Sequence, residues 1–178
     1  LGTEWKQDGG GSVHIDRCLI DANWGASTDV VYQYCRQSDY ARSLTPAHGR
    51  GIGASNRPIT EQKAKRGERV GLHWRMPLPT GRRQVRHVLF DANFWKTFVH
   101  TRLGVTMGDS GGLSLFGDKP RDHRDLAEQL VAEYRIKTEG RGRTVDEWRL
   151  RVDGLDNHLL DCLVGAAVAA SMEGCSLY

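Results

Sequence analysis

Asp156, His158 and Asp161 sit close together in "DNHLLDCLVGAAVAASM" (156–172), just where the chain turns strongly apolar. His158 and Asp161 are three residues apart, a spacing that puts both on one helix face. Asp161 lies among leucines and valines, so it is expected to be buried against the helix yet open to a cleft, because a buried carboxylate needs a partner charge or a metal. Asp156 reads as the helix N-cap. Two further aspartates close strand-like runs: Asp21 ends "VHIDRCLID" and Asp91 ends "RRQVRHVLFD". Strand-end carboxylates facing a helix carboxylate offer the oxygen ligands that hard divalent cations take. A pair of such cations can activate water and stabilise a leaving oxygen. Taken singly, each of these aspartates is equally a turn residue or a cap.

Other patterns suggest other chemistry. "MGDSGG" (107–112) matches the nucleophile signature of serine proteases, and His48, Asp91 and Ser110 follow one known triad order. Against it, His48 and Ser110 are too close for two six-stranded barrels, a helix is predicted between them, and cysteines flank neither. "GRGIG" (49–53) is rich in glycine, but no lysine follows in the phosphate-loop position. The cysteines, Cys18, Cys35, Cys162 and Cys175, form no CxxC pair, which argues against zinc. Cys18 and Cys162 lie in apolar patterns and are expected to be buried, reduced thiols.

The elements that must position these residues follow from periodicity. Strands are predicted near 13–20, 70–76 and 84–90, and helices near 28–38, 92–103 and 157–172. "SLTPAHGRGIGAS" (43–55) reads as a short strand entering a Gly-rich loop, and "GGLSLFG" (111–117) as a short strand or loop. A helix begins at "DHRDLAEQLVAEY" (122–134). The runs 68–78 and 82–91 flank the turn "PTG" and are predicted to pair as a hairpin. "YRIKTEG" and "TVDEWRLRV" form a second one. The last helix should meet the sheet through Leu160, Leu163, Val164, Ala167 and Val168. Mixed strands and helices indicate an α/β class, and the length suits one domain over 1–178. No signal peptide or membrane span is legible.

Charge is uneven. Nine Lys/Arg and two Glu give residues 57–87 a charge of +7, leaving −4 for the rest of a chain whose net charge is +3. A basic segment on a near-neutral body suits a polyanion. Lys63, Lys65, Arg66, Arg82, Arg83 and Arg86 are the candidate phosphate contacts, on a basic hairpin over 57–87. The alternative is a solvated hairpin with long basic side chains.

Four segments in order resemble the nuclease domain of phage large terminases of the lambda-like GpA family. They are "LIDANWGASTDVVYQYCR", "TPAHGRG", "LFDANFWKTFVHTRL" and "DNHLLDCLVGAAVAA", and they span nearly the whole chain. The resemblance implies an RNase H-like mixed sheet flanked by helices. It implies two-metal hydrolysis of concatemeric DNA with Mg²⁺ or Mn²⁺. Asp21 matches the family's second acidic position and Asp161 its helix carboxylate. His158 stands where some members have Glu, and Lys96 matches a recurring lysine. The family's first catalytic aspartate and first strands fall upstream of Leu1. The polar, Gly-rich start without Met is accordingly read as the edge of a longer chain. The resemblance further implies double-stranded DNA, a terminase small subunit and a portal as partners, no membrane, and the host cell cytoplasm. The competing expectation is a DNA-binding or assembly fragment without nuclease activity as isolated.

Overall fold

The structure, a computed structural model, describes residues 1–7, 9–81, 84–117 and 119–176. In chain order the elements are β1 (Trp5–Lys6), β2 (Ser12–Val13), β3 (Cys18–Asp21), α1 (Thr28–Gln37), β4 (Leu44–Arg50), β5 (Arg69–Gly71), β6 (Trp74–Met76) and β7 (Val88–Asp91). There follow α2 (Ala92–Leu103), α3 (Arg124–Leu130), β8 (Glu133–Gly140), β9 (Arg143–Leu150) and α4 (His158–Met172). The central sheet has the order β3-β4-β7-β6-β5. β3, β4 and β7 run parallel, while β6 is antiparallel to both its neighbours. A five-stranded mixed sheet flanked by helices is consistent with the RNase H-like fold.

Strand alternation assigns the helices to faces. Ala47, Val88, Phe90, Trp74 and Met76 point to one face, where they meet Trp95 and Val99 of α2 and Leu160, Val164, Val168 and Met172 of α4. Successive strand residues point to opposite faces, so His48, His87 and Arg75 look the other way. Tyr32 of α1 packs on that second face, against the rings of His48 and His87. The last helix is apolar on nearly every side because it is largely enclosed. Leu160, Val164 and Val168 are buried, and Leu163 and Ala167 pack at the margin, as expected.

β4 is interior yet carries Pro46, which cannot donate to a ladder. Ser43 and Ala47 turn their carbonyls to β3, accepting from Cys18 N (2.8 Å) and Ala22 N (2.9 Å). By alternation, Pro46 turns its backbone to the opposite side. Pairing there begins only at Ala47↔Val88, one residue later. The missing N–H therefore faces a stretch where β7 has not yet begun.

Several boundaries depart from the sequence expectation. Only Cys18–Asp21 of "VHIDRCLID" joins the sheet, and Ser12–Val13 pairs with Trp5–Lys6 in a separate ribbon. The runs on either side of "PTG" do not form one simple hairpin. Residues 69–76 first fold on themselves as β5–β6, turning at Leu72 and His73, and β6 then pairs with β7. Arg82 and Arg83 lie outside the described residues. "GGLSLFG" is loop. The second hairpin forms as expected, as β8–β9. Its Trp148 donates its backbone N–H to Asn93 (3.2 Å) and its indole N–H to Thr97 (2.9 Å), which ties it to α2.

Candidate active site

Asp21 is the last residue of β3. Leu19, two positions earlier, packs on the core beside α2 and α4, so alternation turns Asp21 to the same side. There a cleft of about 740 Å³ opens, walled by Asp21, Asn23, Gly49, Lys96, His158 and Asp161 among others. It stands at the carboxyl end of β3, and open α/β sheets bind ligands at the carboxyl ends of their strands. Residues 140 positions apart in sequence, Asp21 and Asp161, thus share one space.

Asp161 opens to this cleft but is less buried against the helix than the sequence led us to expect: its side chain is 54% exposed. The first turn of α4 lies at the cleft mouth, and the apolar burial begins on the helix's other face with Leu160. Its partner is Lys96, whose Nζ lies 3.1 Å from Asp161 Oδ1. The same Nζ lies 2.5 Å from Oε1 of Glu133, a buried acid at the start of β8. Asn157 Nδ2 donates to that same oxygen at 2.5 Å. Neither Glu133 nor Asn157 stood out in the sequence. Each is one polar residue at an element boundary, and only the docking of the β8–β9 hairpin on α2 brings them to Lys96.

Asp21 is held by its own turn, with Oδ1 accepting from the Asn23 amide (3.0 Å). Asn23 continues inward. Its Nδ2 donates to Gly49 O (3.0 Å), which leaves its Oδ1 to accept from His48 Nδ1 (2.9 Å). His48 Nε2 then meets the Tyr32 hydroxyl at 3.0 Å. His48 is thus linked to the cleft through Asn23. Trp24, the next residue, stands 70% exposed at the cleft wall.

Asp91 and Asp156 lie outside the cleft walls. Asp91 is the N-cap of α2, its Oδ1 accepting from the amides of Asn93 (3.1 Å) and Phe94 (3.3 Å). Asp156 was expected to cap α4, but the helix starts behind Asn157 without a side-chain cap. The free amide of Leu159 is met instead by Gln129 of α3 at 2.7 Å. Asp156 faces His158 at 3.5 Å, with both side chains exposed.

The protease reading finds no support. Asp91 is occupied as a cap and both ring nitrogens of His48 are engaged. Ser110 lies in a glycine turn closed by Gly112 N to Asp109 O (3.1 Å). The thiols are also redistributed. Cys35 is buried, and burial first of all pushes its thiol up to about 11. Cys162 is exposed on α4 and Cys18 half-buried, against the expectation that both are buried.

Lys63, Lys65, Arg66 and Arg86 are exposed, but none lines the cleft. Among the described residues, the Lys and Arg that do are Arg17 and Lys96. Arg17 is ion-paired with Glu173 and donates to Thr45 (2.9 Å). Arg75, counted in the basic stretch, is buried and paired with Glu68.

Among the described residues no group of three or more His, Cys, Asp or Glu could enclose a metal ion. Mg²⁺ keeps several waters and is held by one or two carboxylates plus substrate phosphate, and the exposed carboxylates of Asp21 and Asp161 on this cleft are donors of that chemistry. No helix among the described residues is long and apolar enough to cross a membrane. Neither the curated proteins nor the solved structures offer a match. Residues 1–176, however, match the terminase large subunit gpA endonuclease domain, and at that coverage the chain belongs to this family of phage DNA-packaging nucleases.

Proposed function

We propose that this chain cuts DNA by metal-dependent phosphodiester hydrolysis during phage DNA packaging. One observation carries the reading: Asp21 and Asp161, from opposite ends of the chain, line one cleft at the end of the sheet. These two would hold Mg²⁺ or Mn²⁺. A bound divalent cation supplies an activated water and neutralises charge on the phosphate. Asp21 is kept in place by the Asn23 amide, and Asn23 by Gly49 and His48. Lys96 and Arg17, each ion-paired with an acid, would offer N–H donors on a wall that a phosphate must approach. The exposed Lys63, Lys65, Arg66 and Arg86, with Arg82 and Arg83, would carry the DNA backbone beyond the cleft. A two-cation mechanism needs further oxygen ligands, which water and the DNA phosphate would supply beside these two acids.

Two measurements test this. Mn²⁺ should raise the melting temperature of the chain, since a ligand bound only by the folded state stabilises it. Asp21→Asn and Asp161→Asn should each remove that rise, and each should abolish Mg²⁺-dependent nicking of plasmid DNA. Nicking retained in both variants refutes the assignment. Binding of DNA with neither nicking nor a Mn²⁺ response would instead leave a DNA-binding or assembly module.

A further inference from the structure

Lys96 bridges two acids of very different exposure. Toward Glu133 the pair is enclosed: the side chains are 12% and 4% exposed and 2.5 Å apart. Toward Asp161 the contact is longer, 3.1 Å, and opens to the cleft. Solvent weakens an exposed ion pair far more than a buried one. The inner contact is therefore the durable one and the outer contact the exchangeable one. Glu133 is also fixed independently, by Asn157. A lysine stem is flexible, with three rotatable donors at its tip. The ammonium can leave Asp161 without leaving its buried partner.

We propose that Lys96 is an exchangeable counter-ion for Asp161, positioned by Glu133, which a divalent cation must displace to enter the cleft. Lys96 thus sets the cleft's cation affinity, and Glu133, which touches neither cation nor DNA, is a positioning residue. The inference rests on the cleft reading given above. Without a cation, the ammonium neutralises Asp161 and holds the first turn of α4 against α2. When a cation arrives, Glu133 retains the displaced charge, so no buried ion is left unpaired.

The test is Mn²⁺ affinity, measured by calorimetry on the 178-residue chain. Lys96→Met alone would strand Glu133 as a buried charge and lower stability, so the informative variant is Lys96→Met with Glu133→Gln. The variant removes the ammonium beside Asp161 together with the Glu133 charge behind it; because the ammonium is the nearer of the two, Mn²⁺ binding should tighten by about threefold to tenfold. Glu133→Gln alone has the opposite sign. It leaves Asp161 as the only carboxylate on the ammonium, so binding should weaken several-fold. A purely structural role for the bridge would move the melting temperature but would not produce opposite shifts in affinity. Unchanged or equally weakened binding in both variants overturns the proposal, provided that Asp161→Asn abolishes binding in the parent. If neither the parent nor Lys96→Met with Glu133→Gln binds Mn²⁺, the cleft reading itself fails and this inference with it.

Discussion

Asp21 and Asp91 look alike in the sequence: each ends an apolar strand run and is followed by Ala-Asn. Their side chains differ in what they meet. Asp91 gives one oxygen to two amides at the start of α2 and is buried. Asp21 meets one amide of its own turn and faces the cleft. Asp91→Ala should cost about 1 kcal/mol in chemical denaturation, the usual loss for an N-cap, and Asp91→Asn much less. Neither change should alter the Mn²⁺ response, and loss of that response in Asp91→Asn would place Asp91 in the metal site after all. His100 makes a separate prediction. Burial, above all, lowers its pKa from 6.5, with Glu133 opposing and Lys96 and Arg135 adding to the effect. The unfolded chain then binds the proton more readily than the folded one. Stability from this residue is complete above pH 6.5 and is lost as pH falls toward the lowered folded value. The ring stacks on Trp148 at 4.3 Å, so His100→Phe keeps the packing while removing the titration. Melting curves from pH 7.5 to 5 should fall less steeply in His100→Phe, and parallel curves would reject the assignment.

At the scale of elements, the sequence located the three long helices closely and the site-bearing strands near their C-terminal ends. α1 is amphipathic and α4 is a long apolar run, and Asp21 and Asp91 mark real boundaries. It misread the 68–91 region because the β5–β6 turn, Leu72–His73, carries none of the Asn-Gly or Gly-rich signals of tight hairpins. His73 takes the left-handed conformation itself, with φ 50°. "PTG" was the only visible turn signal. The two acids of the cleft were legible because each lies in a family segment. Glu133 was not, since its meaning depends on a hairpin docking across α2. Close approach of β4 and β7 gives a direct test of the register. Gly49 pairs with Phe90, and a Cβ at Gly49 would stand 2.9 Å from the ring's Cζ. Gly49→Ala should therefore destabilise the chain by about 1–3 kcal/mol, as overpacking does. A melting temperature equal to the parent's would mean that Phe90 does not lie over this residue.

Across the whole molecule, the summed charge was legible but its direction was not. Of the basic stretch, Arg75 turns inward to Glu68 and Gln62, and Arg69 donates to Met172 O at the end of α4 (3.0 Å). These two hold the β5–β6 edge to the fold, Arg75 from a buried position. Lys63, Lys65 and Arg66 remain exposed on the loop before β5. That loop joins the sheet at β5, four strand positions from β3, about 19 Å at the usual spacing. A DNA duplex is broad enough to meet such a loop while one of its phosphates lies in the cleft. Phosphate contacts release counterions, so affinity should fall linearly on a log-log plot against salt, by roughly 0.9 per contact. Lys63→Glu, Lys65→Glu and Arg66→Glu together should weaken binding to every duplex sequence alike and reduce that slope by about 2–3. The Mn²⁺ affinity should not change, because none of the three lines the cleft. A slope equal to the parent's would make this loop a solvated face, and the DNA path would then have to be sought at Arg82, Arg83 and Arg86 and at the cleft's Arg17 and Lys96.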